Sequence, residues 1–158
     1  MSSPRQFTKV AAAVWTSKRF RTVSDAARLL LLYMMTCSHQ NSTGAFRAPL
    51  GYFGIDLGWD DKKVAAALAE LSKAGLVIHD QAESEFFVRG WYRFNPPMNS
   101  KHVTGTTRRF SEIQSDEIRA AAEAEFTAAV EADPVVAQAV REGSKLSDTN
   151  YMRGGRRS

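Results

Sequence analysis

Residues 25–36 carry apolar side chains at Leu29, Leu30, Leu31, Leu32, Tyr33, Met34 and Met35, on nearly every face of a helix. A helix that is apolar all round belongs in the middle of a small domain. Ser24 is a good N-cap for it, and Asp25 adds a favourable charge in the first turn. Residues 41–44 have turn chemistry, and 45–48 suit a short strand. Pro49 suits the first turn of a further helix and Gly58 its C-terminal stop. Asp60 then caps a helix with Asp61 in its first turn, in which Val64, Ala67, Leu68 and Leu71 recur at helical spacing and face the core. Gly75 ends that helix. Leu76, Val77 and Ile78 form a strand, 81–84 turn the chain, and 85–91 return it, with Phe87 and Trp91 alternating toward the core.

The order helix, strand, helix, helix, strand, strand is that of a winged helix-turn-helix domain. The expected class is therefore α+β, mainly α, with an N-terminal arm over 1–13 and the winged-helix domain over 14–99. Two successive prolines in Asn95-Pro96-Pro97 lack amide donors, so the domain is expected to close there. Beyond it, 100–143 reads as a linker and a helical appendage. A capping box, Ser111-Glu112-Ile113-Gln114, opens a helix over 111–132. Its apolar stripe (Ile118, Ala122, Phe126, Ala129, Val130) is narrow and needs something to pack on. Asp133-Pro134 starts another helix that Gly143 stops, and 144–158 reads as a disordered basic tail.

Charge changes the picture more through its distribution than through the formal net value of +4. Residues 1–100 hold twelve Lys/Arg against eight Asp/Glu, and 101–110 add Lys101, Arg108 and Arg109 with no acid. Residues 111–142 hold eight acids against Arg119 and Arg141, and the last segment is basic again. A basic body with an acidic segment suits polyanion binding by the first and protein contact by the second. The longest apolar run is interrupted by Arg28 and too short to span a bilayer, no secretory leader is visible, and Cys37 stands alone. A cytoplasmic protein with no membrane contact is expected.

Candidate chemistry follows from these placements. On the helix opened by Asp60, the face opposite the core shows Lys62, Ala66, Ala69 and Lys73, with Lys63 and Glu70 beside it. Alanines let a helix approach a groove floor and lysines pair with phosphates, whereas Arg, Asn or Gln, which read base edges in pairs of hydrogen bonds, are missing. The same face also reads as a solvated Lys/Glu surface. Asp80, Glu83 and Glu85 make the turn between the last strands acidic, unlike a phosphate-gripping wing. The more persuasive basic surface lies elsewhere: Lys18, Arg19, Arg21 and Arg28 cluster around the first helix with only Asp25 opposing them, and Arg89 and Arg93 flank Trp91, followed by Lys101, Arg108 and Arg109. Replacing Lys18, Arg19 and Arg21 is therefore expected to weaken DNA binding more than replacing Lys62 and Lys73. Trp91, Tyr92 and Phe94 among arginines fit a single-strand path in which bases stack on rings; core packing explains the same aromatics. His39, His79 and His102 are scattered without nucleophile or ligand spacing, and no phosphate-cradling Gly loop is present. No catalytic residue, cofactor or metal is expected.

Several segments together resemble a known family: Val14-Trp15-Thr16 with Phe20-Arg21, SDAARLLLLYMMT (24–36), GAFRAPLGYFGIDLGW (44–59), AAALAELSKAGLV (65–77) and VRGWYRFNPP (88–97). They look like the small winged-helix proteins of phage and prophage replication modules, described as replication initiators or replisome organisers. These are distantly similar to the N-terminal domains of helicase-loading primosomal proteins. The resemblance covers roughly 9–105, and Trp59, Trp91, Arg93, Asn95, Pro96 and Pro97 match its motifs by position. It implies a winged-helix fold, DNA binding and work at a phage replication origin, and supplies no catalytic residues.

The expected function is a non-enzymatic DNA-binding protein of such a module. It would hold origin duplex or single-stranded DNA, with 111–143 recruiting host replication proteins or mediating self-association. Two alternatives stay open: a transcriptional regulator binding duplex DNA as a dimer, and a winged-helix module acting on a host protein.

Overall fold

The computed structural model describes residues 7–153, with side chains described through Gly143. A 3-10 turn, Ala12–Thr16, leads into α1 (Lys18–Thr22), α2 (Asp25–Thr36), β1 (Ala45–Arg47), α3 (Leu50–Leu57), α4 (Asp61–Lys73), β2 (Val77–Asp80) and β3 (Glu85–Val88). After them come α5 (Trp91–Phe94), α6 (Ser100–Arg109), a 3-10 turn at Phe110–Glu112, α7 (Asp116–Glu131) and α8 (Pro134–Arg153). The chain is α+β and mainly α, with one small antiparallel sheet in the order β1-β3-β2.

The caps read from the sequence do what their chemistry requires. The Ser24 hydroxyl accepts from the Ala27 amide and the Asp60 carboxylate from the Lys63 amide. Gly58 closes α3 in the left-handed region at φ 67°. On α2, Ala27, Leu30, Leu31, Met34 and Met35 are buried against α4 and β3. Leu29 is half exposed, so this helix has one open side. Phe53 of α3 sits 5.0 Å, ring to ring, from Phe86 of β3, tying the helical layer to one face of the sheet.

The second face of the sheet is covered as well. β3 is buried at all four of its residues, because α7 lies across β1, β2 and β3 on the side opposite α2 and α3. A strand covered on both faces reads as a continuous apolar run, as Phe86-Phe87-Val88 does. The prolines at 96–97 therefore turn the chain without ending the core, which continues through Val103, Phe110, Ile113, Ile118, Ala122, Phe126 and Val136. Residues 100–143 are helices seated on the sheet and on one another rather than a linker with an appendage.

Four further expectations need correction. β3 ends at Val88, not at 91, since Gly90 is left-handed at φ 73° and Trp91–Phe94 wind into a helical turn. Tertiary contacts override the β propensity of these aromatics: the Trp91 indole N–H donates to the Ser42 carbonyl and the Tyr92 hydroxyl to that of Thr43. The helix expected over 111–132 starts at Asp116, capped by Ser115, while Ser111 lies in the 3-10 turn after α6. The expected stop at Gly143 is not made; α8 runs through it to Arg153, because a glycine without a left-handed turn weakens a helix but does not end it. The expected tail is thus helical up to Arg153. Its residues 154–158, and residues 1–6 of the N-terminal arm, lie outside the described residues.

The β2–β3 turn makes stability pH-dependent. The Ser115 hydroxyl and the amides of Glu83 and Ala82 hold the Asp80 carboxyl below its ordinary range. Burial against Phe86, ring to ring at 4.5 Å, likewise lowers the His79 imidazole. Both groups bind protons less readily folded than unfolded, so their contribution is complete above about pH 6.5, the unfolded His value, and is lost as pH falls through the folded values. Thermal unfolding midpoints should decline on acidification from about pH 6.5, and His79→Phe should remove the first part of that decline. An unchanged profile in that variant would count against the imidazole.

Candidate nucleic-acid interface

α4 is held by its apolar face, Val64, Ala67, Leu68 and Leu71, against α2 and α3. Its other face is open: Lys62, Ala66, Ala69 and Lys73 are exposed. Among the described residues neither Lys62 nor Lys73 makes a side-chain hydrogen bond or ion pair. Lys63 lies over the Trp59 ring at 4.5 Å, which stiffens that ammonium without neutralising it. Glu70 turns away toward α2, where its carboxylate accepts from the Ser24 amide (2.9 Å) and hydroxyl (2.8 Å). Those two bonds hold its carboxyl below the ordinary value. The acid in mid-helix is thereby used to fix α2 on α4, and the outer face keeps its lysines.

The remaining cations are sorted by the fold into separate places. One Nη of Arg19 donates to the Gly75 carbonyl (2.9 Å), and the Arg89 amide donates to the Leu76 carbonyl (3.0 Å). The junction of α4 and β2 thus brings Arg19 and Arg89 together, two residues beyond Lys73. With Arg93 they line a cleft of about 640 Å³ whose far wall is the C-terminal half of α7. Arg89 is paired there with Glu125 (3.6 Å), whose other oxygen accepts from the Gly90 amide (2.8 Å). Arg28 is used internally: it donates to the Phe20 and Arg21 carbonyls, closing α1, and meets Asp25 at 3.3 Å. Lys18 and Arg21 remain exposed on α1. Lys101 and Arg108 line a depression between α6 and α8, and Arg109 lines a small one beside Glu85 and Glu112.

Stacking of bases on the aromatic segment is not available. Trp91 is fully buried and Tyr92 is 4% exposed, so neither ring offers a face, and Phe94 is half-buried. The acidic turn has a structural explanation that the sequence alone did not suggest. Asp80 accepts from the Ala82 and Glu83 amides within the turn. Glu85, 4% exposed, accepts from the Gln114 and Ser115 amides ahead of α7. An acid at the head of an otherwise apolar strand was the available signal. Glu125, beside the Ala122–Phe126 stripe, was the corresponding signal for the cleft.

Among the described residues no group of His, Cys, Asp and Glu is arranged to hold a metal ion, and no helix is long and apolar enough to cross a membrane. Compared with known proteins, the chain matches no family model, no curated protein and no solved structure.

Proposed function

We propose that the chain is a winged-helix DNA-binding protein of the phage or prophage replication type, which holds origin DNA and recruits replication proteins. The order α2-β1-α3-α4-β2-β3 with strands arranged β1-β3-β2 supports a winged helix in which α4 occupies the groove-reading position. The observation that carries the DNA reading is the open α4 face, with unpaired Lys62 and Lys73 on either side of Ala66 and Ala69. Nothing on that face pairs with a base edge by two hydrogen bonds, so contacts are mostly to phosphate and sequence preference is weak. This favours an origin-holding role over that of a regulator with a sharp operator. With Trp91 and Tyr92 buried, duplex is favoured over single strand as the DNA held. The replication role rests on the resemblance of the segments between 9 and 105, and the exposed acids Glu117, Glu123 and Glu131 of α7 suit a basic protein partner.

A second reading has its own support. The β2–β3 turn is tied to the start of α7 through Glu85 and Ser115, so it is not free to grip a phosphate as a wing does. This favours use of the fold as a protein-interaction module.

Fluorescence anisotropy with labelled duplex and single-stranded oligonucleotides separates the readings. Binding should weaken steeply between about 50 and about 200 mM salt, and Lys62→Ala with Lys73→Ala should cut the log–log salt slope by about 2 and affinity by roughly tenfold or more. No salt-dependent binding to either form would leave the protein-interaction reading in place.

A further inference from the structure

We propose that the cleft between the α4–β2 junction and α7 is a binding site for the phosphate end of a nucleotide, distinct from the α4 face. Three guanidiniums far apart in sequence converge there, from α1 (Arg19), the residue after β3 (Arg89) and α5 (Arg93). Their commitments differ. Arg89 is compensated by Glu125. Arg19 spends one Nη on the Gly75 carbonyl, which holds the side chain in place while its other donors stay available. Arg93 has no side-chain partner among the described residues and is exposed. Two guanidinium forks are thus left to meet an anion, and their planar donor pairs match phosphate oxygens.

The opposite wall decides what the anion is attached to. Ala128, Ala129 and Ala132 put only methyl groups into the space, and the volume of about 640 Å³ lies within the usual range for small-molecule sites. Asp133 also lines the cleft, and its Oδ1 accepts from the Val135 and Val136 amides at the start of α8. Its Oδ2 makes no such bond and can accept from an amino group or a sugar hydroxyl. A ligand with a dianionic group at one end and hydrogen-bond donors at the other satisfies both walls. A mononucleotide has that form, either free or as the 5′-phosphorylated end of a DNA strand.

Isothermal titration of the full chain with deoxyadenosine monophosphate, deoxyadenosine and an acidic peptide tests the site. The monophosphate should bind at least tenfold more tightly than the nucleoside and the peptide. Arg93→Gln, an exposed change that leaves the fold alone, should weaken it at least tenfold, and Arg19→Gln similarly. Asp133→Asn keeps the helix cap and should weaken the nucleotide by a smaller factor. The Lys62→Ala, Lys73→Ala variant should bind it unchanged, which separates this site from the DNA face. A single-stranded oligonucleotide with a 5′-phosphate that outbinds its 5′-hydroxyl form, with the difference lost in Arg93→Gln, identifies the strand end as the source. Tighter binding of the free monophosphate identifies the free nucleotide. Equal binding of nucleoside and nucleotide, equal binding of the peptide, or indifference to Arg93→Gln overturns the proposal.

Discussion

Gly44→Ala is expected to lower the unfolding free energy by about 2–5 kcal/mol, a large part of what holds a domain of this size together. Gly44 has φ 73°, and a Cβ placed there would lie 2.5 Å from Cγ of Trp91. Two costs therefore add: the left-handed backbone, and the overpacking of a buried indole that cannot swing away. The indole is pinned because its N–H is bonded to the Ser42 carbonyl. The same loop accepts the Tyr92 hydroxyl and, through the Gly44 carbonyl, the Val88 amide, so it positions α5 and with it Arg93. Urea unfolding of Gly44→Ala, Trp91→Gly and the double variant resolves the two costs, since only glycine removes the Cβ of residue 91, itself 2.7 Å from the added methyl. In the Trp91→Gly background the alanine should cost only the backbone part, about 1–2 kcal/mol. Strict additivity of the two substitutions would mean that the indole does not press on residue 44.

Glu85→Ala should cost about 2–3 kcal/mol, since it leaves the buried Ser115 amide and the part-buried Gln114 amide without their shared acceptor. The bonds lost are 3.0 Å from Gln114 and 2.8 Å from Ser115. Glu85→Gln should fall between, because its oxygen can accept one amide while its NH2 group faces the other. The damage should be local as well as global. Amide hydrogen exchange should quicken over α7, which loses its tether to β3, while α4 keeps its protection from α2 and α3. Uniform quickening across both helices would argue against a tether confined to α7.

The caps and stops at Ser24, Gly58 and Asp60 were readable because each is a local bargain between a side chain or a missing Cβ and the backbone beside it. The inward face of α4 was readable for a related reason, as Val64, Ala67, Leu68 and Leu71 share a face whatever they pack against. The cations were visible in the sequence, but their grouping was not. Arg28 and Arg19 stand nine residues apart on neighbouring helices, yet one closes α1 internally and the other opens onto a cleft. The aromatic segment failed for the same cause: Trp91, Tyr92 and Phe94 suit a strand or a stacking platform until the 41–44 loop supplies acceptors that turn two of the rings inward.

What the chain determines by itself is the run of helices and short strands from α2 to β3, together with the polar outer face of α4, because periodicity and capping act within a few residues. Tertiary structure decided that α7 covers the second face of the sheet, that Glu85 is a buried tether rather than part of an open acidic turn, and that Arg19, Arg89 and Arg93 share one cleft. Each of these joins residues tens of positions apart, and such pairings are set by which surfaces bury one another, a quantity that no local pattern contains.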